Sequence, residues 1–497
     1  MSRATNSERS PLLRIQSRQS DAPSFSVADV APSTFQVTAV CMLLVVTHQV
    51  ASLLTALAAA DLNQAAVCRS LDGHVPDPTN DERCSDPTLF SELAGLLGVE
   101  AVLATAMSIL APIPIGVAAD RYGRRPFLVL ALVGSALNVG SRLLIYGFPQ
   151  AFPLRFIWLS ASFELFTGGS SAFFAIIYTI LTDVTSKAQR STSFFYLAAA
   201  SVLATQIGVK LMGLMRDKPG PWAALFTAFG FFVFAILCAF CIPETIYLNK
   251  TVYYEEAIEE EPVTQTMVEK IRAVIPAVYK QVTTSMAALF CRNKTIAILL
   301  LTVLVMELKA HSMAMLPSYI DNRYRLATGK IISTHAVENL SNFLLNALLL
   351  PLAAHALLHF KFSGLRKDTA FARWGVVAAA IGLLGIGLAP RMGALLAGLI
   401  VYALISAYYG GILGLLSQLT TEDHVATMFA TIRVLATLGS LLSQPIFYIL
   451  FLSGPNCAKA WCGLPYIVVG CAYILVAVVV FAVTSGTARE EDYSEED

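Results

Sequence analysis

Residues 116–127 read GVAADRYGRRPF, setting Asp120, Arg121, Arg124 and Arg125 between two long runs that carry almost no charge. Those runs are blocks of about twenty apolar residues, the length a helix rising about 1.5 Å per residue needs to cross a hydrocarbon core of about 30 Å. The charged stretch therefore reads as a tight turn between two membrane spans. The rest of the chain agrees. Of its 497 residues 56% are hydrophobic and only 14% charged, and mean hydropathy is +0.65, too little polar surface for a water-soluble fold of this size. A formal net charge of zero gives no footprint for nucleic acid.

Outward from the turn, twelve such blocks fall between residues 36 and 484. The eighth, 335–356, is the least apolar because Glu338, Asn339 and Asn342 stand near its start. A polar connection, 243–294, separates six blocks from six. The expected fold is an all-α membrane protein with twelve transmembrane helices in two six-helix bundles, 36–242 and 295–484. A disordered cytoplasmic tail (1–35) and an acidic one (485–497) flank them. The connection passes through the acidic YYEEAIEEEP into VEKIRAVIPAVYKQVTTSMAALF, whose helical periodicity suits a helix lying along the membrane surface. An even span count puts both termini on one side. Segments on that side hold the larger share of the 34 lysines and arginines, which resist translocation, so it is expected to be cytoplasmic. Cys68 and Cys84 then share one external loop and Cys457 and Cys462 another, where each pair either forms a disulfide or stays as free thiols.

Within the turn, Gly116 lets a neighbouring helix come close, and Asp120 follows one helical turn later on the same face. Gly123 permits the reversal, and Pro126 suits the first turn of the next helix. Arg121, Arg124 and Arg125 supply forked donors for carboxylates or helix carbonyls. A turn that only set topology would need the arginines but neither the Gly116–Asp120 spacing nor Gly123.

These residues match the G-x-x-x-D-R-x-G-R-R signature of the major facilitator superfamily of secondary transporters, which the six-plus-six arrangement also resembles over 36–484. The resemblance implies that the turn locks the two bundles together when the transporter faces outward. Its aspartate would approach the start of helix eleven and its arginines would pair with acids near helix four. Asp183 and Arg190 are placed to join that network. CRSLDG…ERC, LPSYIDNRYRL, the PET after span six and TIRVLATLGSLLSQPIF resemble fungal twelve-helix facilitators associated with drug or metabolite export. The chain departs from the family in three places. SVLATQIGVKLMG stands where antiporters carry G-x-x-x-G-P-x-x-G-G. Glu164 stands where many members carry an arginine on helix four. The second-half copy of the turn, HFKFSGLRKDTAFARWG, keeps basic charge but loses the spacing.

Charges inside the membrane cost about 2.5–3.5 kcal/mol each on insertion scales and need a reason. Glu164 in span four and Glu307 near the middle of span seven are candidates for substrate binding or proton coupling. His311, four residues beyond Glu307, would share its helix face and could exchange a proton with it. Arg433, in the cytoplasmic third of span eleven, would bind an anionic group, pair with an acid or snorkel to the interface. Lys210, Arg142 and Lys309 read as snorkelling residues. Lys309, two positions from Glu307, would point elsewhere around the helix, and Glu100 would meet water.

The expected function is alternating-access transport of a small organic molecule, with protons as coupling ion and proton-coupled export of a metabolite or toxin in the lead. Nutrient uptake by proton symport, or nutrient sensing without transport, are the alternatives. No phosphate loop or metal motif points to an enzyme or primary pump, so no cofactor is expected and the proton gradient is the energy source. The expected partners are the lipid bilayer, the substrate and protons, with the protein acting as a monomer. In ERSPLL, Glu8 followed by Leu12 and Leu13 resembles an acidic dileucine signal read by sorting adaptors. That would favour the vacuolar or endosomal membrane over the default plasma membrane.

Overall fold

The computed structural model describes residues 34–72, 87–216, 218–246, 280–324, 328–452 and 463–495. Among the described residues every regular element is a helix. Twelve are long and apolar enough to cross a membrane: α1 Thr34–Arg69, α2 Ser91–Tyr122, α3 Arg125–Gly147, α4 Leu154–Val184, α5 Arg190–Arg216, α6 Pro221–Ala239, α7 Lys294–Ala314, α8 Thr334–His359, α9 Gly364–Leu388, α10 Met392–Leu419, α11 Glu422–Leu450 and α12 Leu464–Ser485.

The spans lie where the hydropathy put them, and the differences are at the ends. The first helix runs on to Asp72, since nothing between 60 and 72 is glycine or proline. The last continues to Glu495 through Ala488, Arg489 and Glu490, all good helix formers, so the acidic tail is an extension of α12 rather than a separate segment. In the connection, residues 280–292 are helical and close on a π turn, Ala288–Arg292. The acidic run lies outside the described residues, as do Glu8, Leu12, Leu13, Cys84, Cys457 and Cys462. Cys68 forms a disulfide. The other described cysteines are free.

In the first half α1 packs on α5 and α6, and α3 on α4; in the second, α9 packs on α10 and α12. The halves meet where α2 and α4 lie against α11, and where α5 lies against α8 and α10. Several helices are interrupted inside the apolar zone. The α2 span breaks at Ala111, ahead of Pro112 and Pro114. The α4 span breaks at Gly168 and Gly169, with φ of +76° and +50°. The α7 span breaks around Glu307 and Leu308, and α10 around Ala403 and Leu404. Irregular backbone at membrane depth is stable only where protein or a cavity satisfies it. At α7 the Met306 carbonyl accepts a 2.6 Å hydrogen bond from the Tyr473 hydroxyl of α12, which meets that need.

Candidate functional site

The charged turn joins the two halves. The Asp120 carboxylate, 6% exposed, accepts hydrogen bonds from the backbone N–H of Ala426 (2.9 Å) and Thr427 (2.8 Å) and from the Thr427 hydroxyl (2.7 Å). These are unpaired donors of the first turn of α11, where the helix dipole also favours an anion. Gly116 makes that approach possible: a Cβ there would lie 2.8 Å from the Ala430 Cβ and 2.9 Å from the Ala426 carbonyl.

Arg124 is the hub, only 2% exposed. It pairs with Asp120 at 3.0 Å and with Asp183 at 3.3 Å, and it donates to the Ala119 carbonyl at 2.6 Å. Glu244, in the PET after α6, completes the network. Its carboxylate accepts from the backbone N–H of Arg124 (2.7 Å) and Arg125 (3.1 Å), capping α3. It sits against Gly123, whose φ of +115° disfavours any side chain. Thr245 donates to Asp183 at 3.0 Å. Arg125 donates to the Phe240 carbonyl at 2.9 Å, whereas Arg121 is exposed and stacks on Tyr122.

A second contact crosses the halves in the opposite direction. At the start of α9 the Lys367 ammonium, fully buried, donates to the Ala188 carbonyl (2.5 Å) and the Ser191 hydroxyl (2.8 Å) at the α4–α5 turn. Asp368 lies beside it at 3.3 Å and accepts 2.7 Å from Gln418. Arg190 donates 2.8 Å to the Ser417 carbonyl of α10. The helix ends involved all lie on the side that the charge distribution assigns to the cytoplasm, and there the two halves are closed on each other.

Two polar sites lie deeper. In the first half a cavity of about 320 Å³ holds Glu100, Asn138, Arg142 and Glu164. Arg142, 8% exposed, pairs with Glu100 and donates to the Asn138 side chain at 2.9 Å. Asn138 in turn reaches Glu164 at 3.4 Å. Arg142 is therefore an interior ion-pair partner rather than a snorkelling residue, and Glu100 is paired rather than left to water. Glu164 stands one turn before the Gly168 break, whose N–H donates back to the Glu164 carbonyl at 2.7 Å.

The larger cavity, about 430 Å³, lies between the halves and is lined from α4, α5, α7, α8, α10 and α11. It contains Glu307, Lys309, Glu338 and Arg433 among aromatic side chains. The Tyr409 hydroxyl donates to Glu307 at 2.9 Å, and the Lys309 ammonium lies 3.6 Å over the same ring. An intact helix would separate positions 307 and 309 by about 200°. The break after Met306 brings both to one cavity, which corrects the expectation for Lys309. His311 does not pair with Glu307: its Nδ1 shares a 2.6 Å hydrogen bond with Ser443, and nothing among the described residues joins the two. Arg433 faces the cavity 5.3 Å from the Phe174 ring centroid rather than snorkelling outward. Lys210 is exposed, as expected.

The Major Facilitator Superfamily model matches residues 85–359. The chain belongs to the Major Facilitator Superfamily. It is similar to the MFS efflux pump atnC of Emericella nidulans, with 25% identity over 419 residues, 80% of this chain and 77% of that one. It is similar also to the MFS-type transporter aprT of Aspergillus flavus, with 24% identity over 407 residues, 81% and 78% of the two chains. Among solved structures, the human organic anion transporter MFSD10 superimposes with a TM-score of 0.61 at 15% identity, over 90% of this chain and all of that one, a likeness of fold. The protein is thus a transporter of this superfamily and a multi-pass membrane protein, and its relatives are transporters rather than enzymes.

In this facilitator the signature turn joins Asp120, Arg124 and Asp183 in one network, while Arg190 closes a neighbouring contact to α10. Sequence reasoning missed Glu244, because it caps a helix 120 residues earlier and no local pattern encodes that contact. It also missed the Lys367 contact, because the second-half turn was compared with the signature's spacing and not read for a buried lysine.

Proposed function

We propose that the protein exports a small organic molecule by alternating access, driven by protons moving the other way. The carrying observation is one half-buried carboxylate in each half, Glu164 with Asn138 and Arg142, and Glu307 with Tyr409. Both lie at broken helices beside cavities, the arrangement in which facilitators hold substrate and coupling ions. Closure at the cytoplasmic end corresponds to the state that releases cargo outward and admits protons from that side. The printed names of the relatives, efflux pump and MFS-type transporter, support the direction.

The test is flux in inside-out membrane vesicles with an imposed pH gradient, using a mass-resolved mixture of amphipathic metabolites. Gradient-dependent accumulation is expected in the native protein. It should fall at least tenfold in Glu307→Gln and Glu164→Gln variants that still equilibrate substrate down its gradient. Unchanged gradient-driven accumulation in both variants would refute proton coupling through these carboxylates.

A further inference from the structure

We propose that the cavity between the halves takes an organic anion, its acid group held by Lys309 and Arg433 and its apolar body by the surrounding rings. The proposal rests on reading that cavity as the transport site. Lys309 on α7 and Arg433 on α11 face it from two packed helices. Each cation is met only by an aromatic face, Tyr409 for the lysine and Phe174 for the arginine. Among the described residues neither side chain forms an ion pair or hydrogen bond. The Arg433 Nε is buried with no acceptor.

Among the described residues neither acid of the same wall hydrogen-bonds to Lys309 or Arg433. Glu307 accepts from Tyr409, and Glu338 pairs with His335 at 3.4 Å. A guanidinium donor removed from water and left unmet is unfavourable, and a carboxylate supplies two acceptors in the matching fork geometry. A cationic cargo would be repelled by Lys309 and Arg433, and a neutral acceptor could meet the Nε by a single uncharged hydrogen bond but not the two cations together. An inorganic anion would leave the rest of the wall unused. Tyr178, Phe194, Phe429, Val303 and Leu413 make that wall largely apolar, and about 430 Å³ suits a body of two fused rings. Glu307 sets the limit on affinity, because its negative charge competes for the same two cations.

The test is calorimetric titration of the full chain in nanodiscs with three probes of one shape: 2-naphthoate, methyl 2-naphthoate and 2-naphthylmethylamine. The acid is expected to bind at least tenfold more tightly than the ester or the amine. Arg433→Ala and Lys309→Ala should each weaken the acid at least tenfold and leave the ester unchanged, and ester binding also reports that the variants are folded. Arg433→Lys should keep the preference for acid over amine at reduced affinity, and Glu307→Gln should tighten the acid several-fold. Equal affinity for acid and ester, preference for the amine, or no binding of 2-naphthoate to monodisperse protein would overturn the proposal. None of those results bears on proton-driven export, which the vesicle assay tests whatever the cargo's charge.

Discussion

The two turns after α2 and after α8 do the same work with opposite charges. In the first half a carboxylate, Asp120, reaches across to the open N–H groups at the start of α11. In the second half an ammonium, Lys367, reaches back to a carbonyl and a hydroxyl at the α4–α5 turn. Each uses the polarity of its target: a helix start attracts an anion, and a turn rich in carbonyls attracts a cation. The supports differ. Asp120 is backed by Arg124, which is itself held by Asp183 and by the Glu244 cap, so Arg124 keeps a carboxylate partner if Asp120 is lost. Lys367 and Asp368 are a fully buried ion pair whose other partners, the Ala188 carbonyl, Ser191 and Gln418, are all uncharged. The first contact has a cation shared between two carboxylates, and the second rests on a single ion pair with uncharged partners.

That difference predicts a ranking. Lys367→Met should have the largest effect, because it leaves Asp368 buried without its cation. Breaking such a pair costs about 3–5 kcal/mol, so the folded yield and the thermal midpoint in detergent should both drop. Lys367→Met/Asp368→Leu should restore folding while still weakening the gate. A double variant as unstable as the single one would show that the pair's role is not the one described. Asp120→Asn should come next. It should fold and reach the membrane, but lose about 1.5–3 kcal/mol from cytoplasmic closure, a tenfold to hundredfold shift, with severely slowed flux. Wild-type flux in a normally expressed Asp120→Asn protein would reduce the turn to a topology signal. Arg121→Ala should be smallest, within about 0.5 kcal/mol and twofold in flux, since Arg121 is exposed and its contact among the described residues is the ring of its neighbour Tyr122. A loss as large as that of Arg124→Ala would mean that the arginines act together.

Much of this was legible in the sequence. Spans follow from hydropathy alone, and the contact of Asp120 with α11 was implied by a signature whose spacing topology does not require. Glu164, Glu307 and Arg433 stood out because charge in a membrane segment needs a reason. The missing parts share a physical cause: each depends on backbone that departs from a regular helix. Lys309 turns toward Glu307 because α7 breaks between Met306 and Lys309, and helical spacing gives the opposite answer. His311 loses its expected partner at the same break. Arg142 and Glu100 lie on different helices, so no spacing rule could pair them. Lys367 is buried by a turn from the other half, a contact that no local pattern encodes.

The central claim is that two separate contacts of opposite polarity hold the cytoplasmic end closed. The most direct test is a pulsed electron–electron distance measurement in nanodiscs, with spin labels attached at Lys187→Cys and Phe362→Cys, both exposed positions, one in each half, near the Lys367 contact. The native protein should give one short distance. Asp120→Asn and Lys367→Met/Asp368→Leu should each add a longer component, and the three substitutions together should make the longer distance dominant. A short-distance distribution unchanged by all three substitutions would contradict the account.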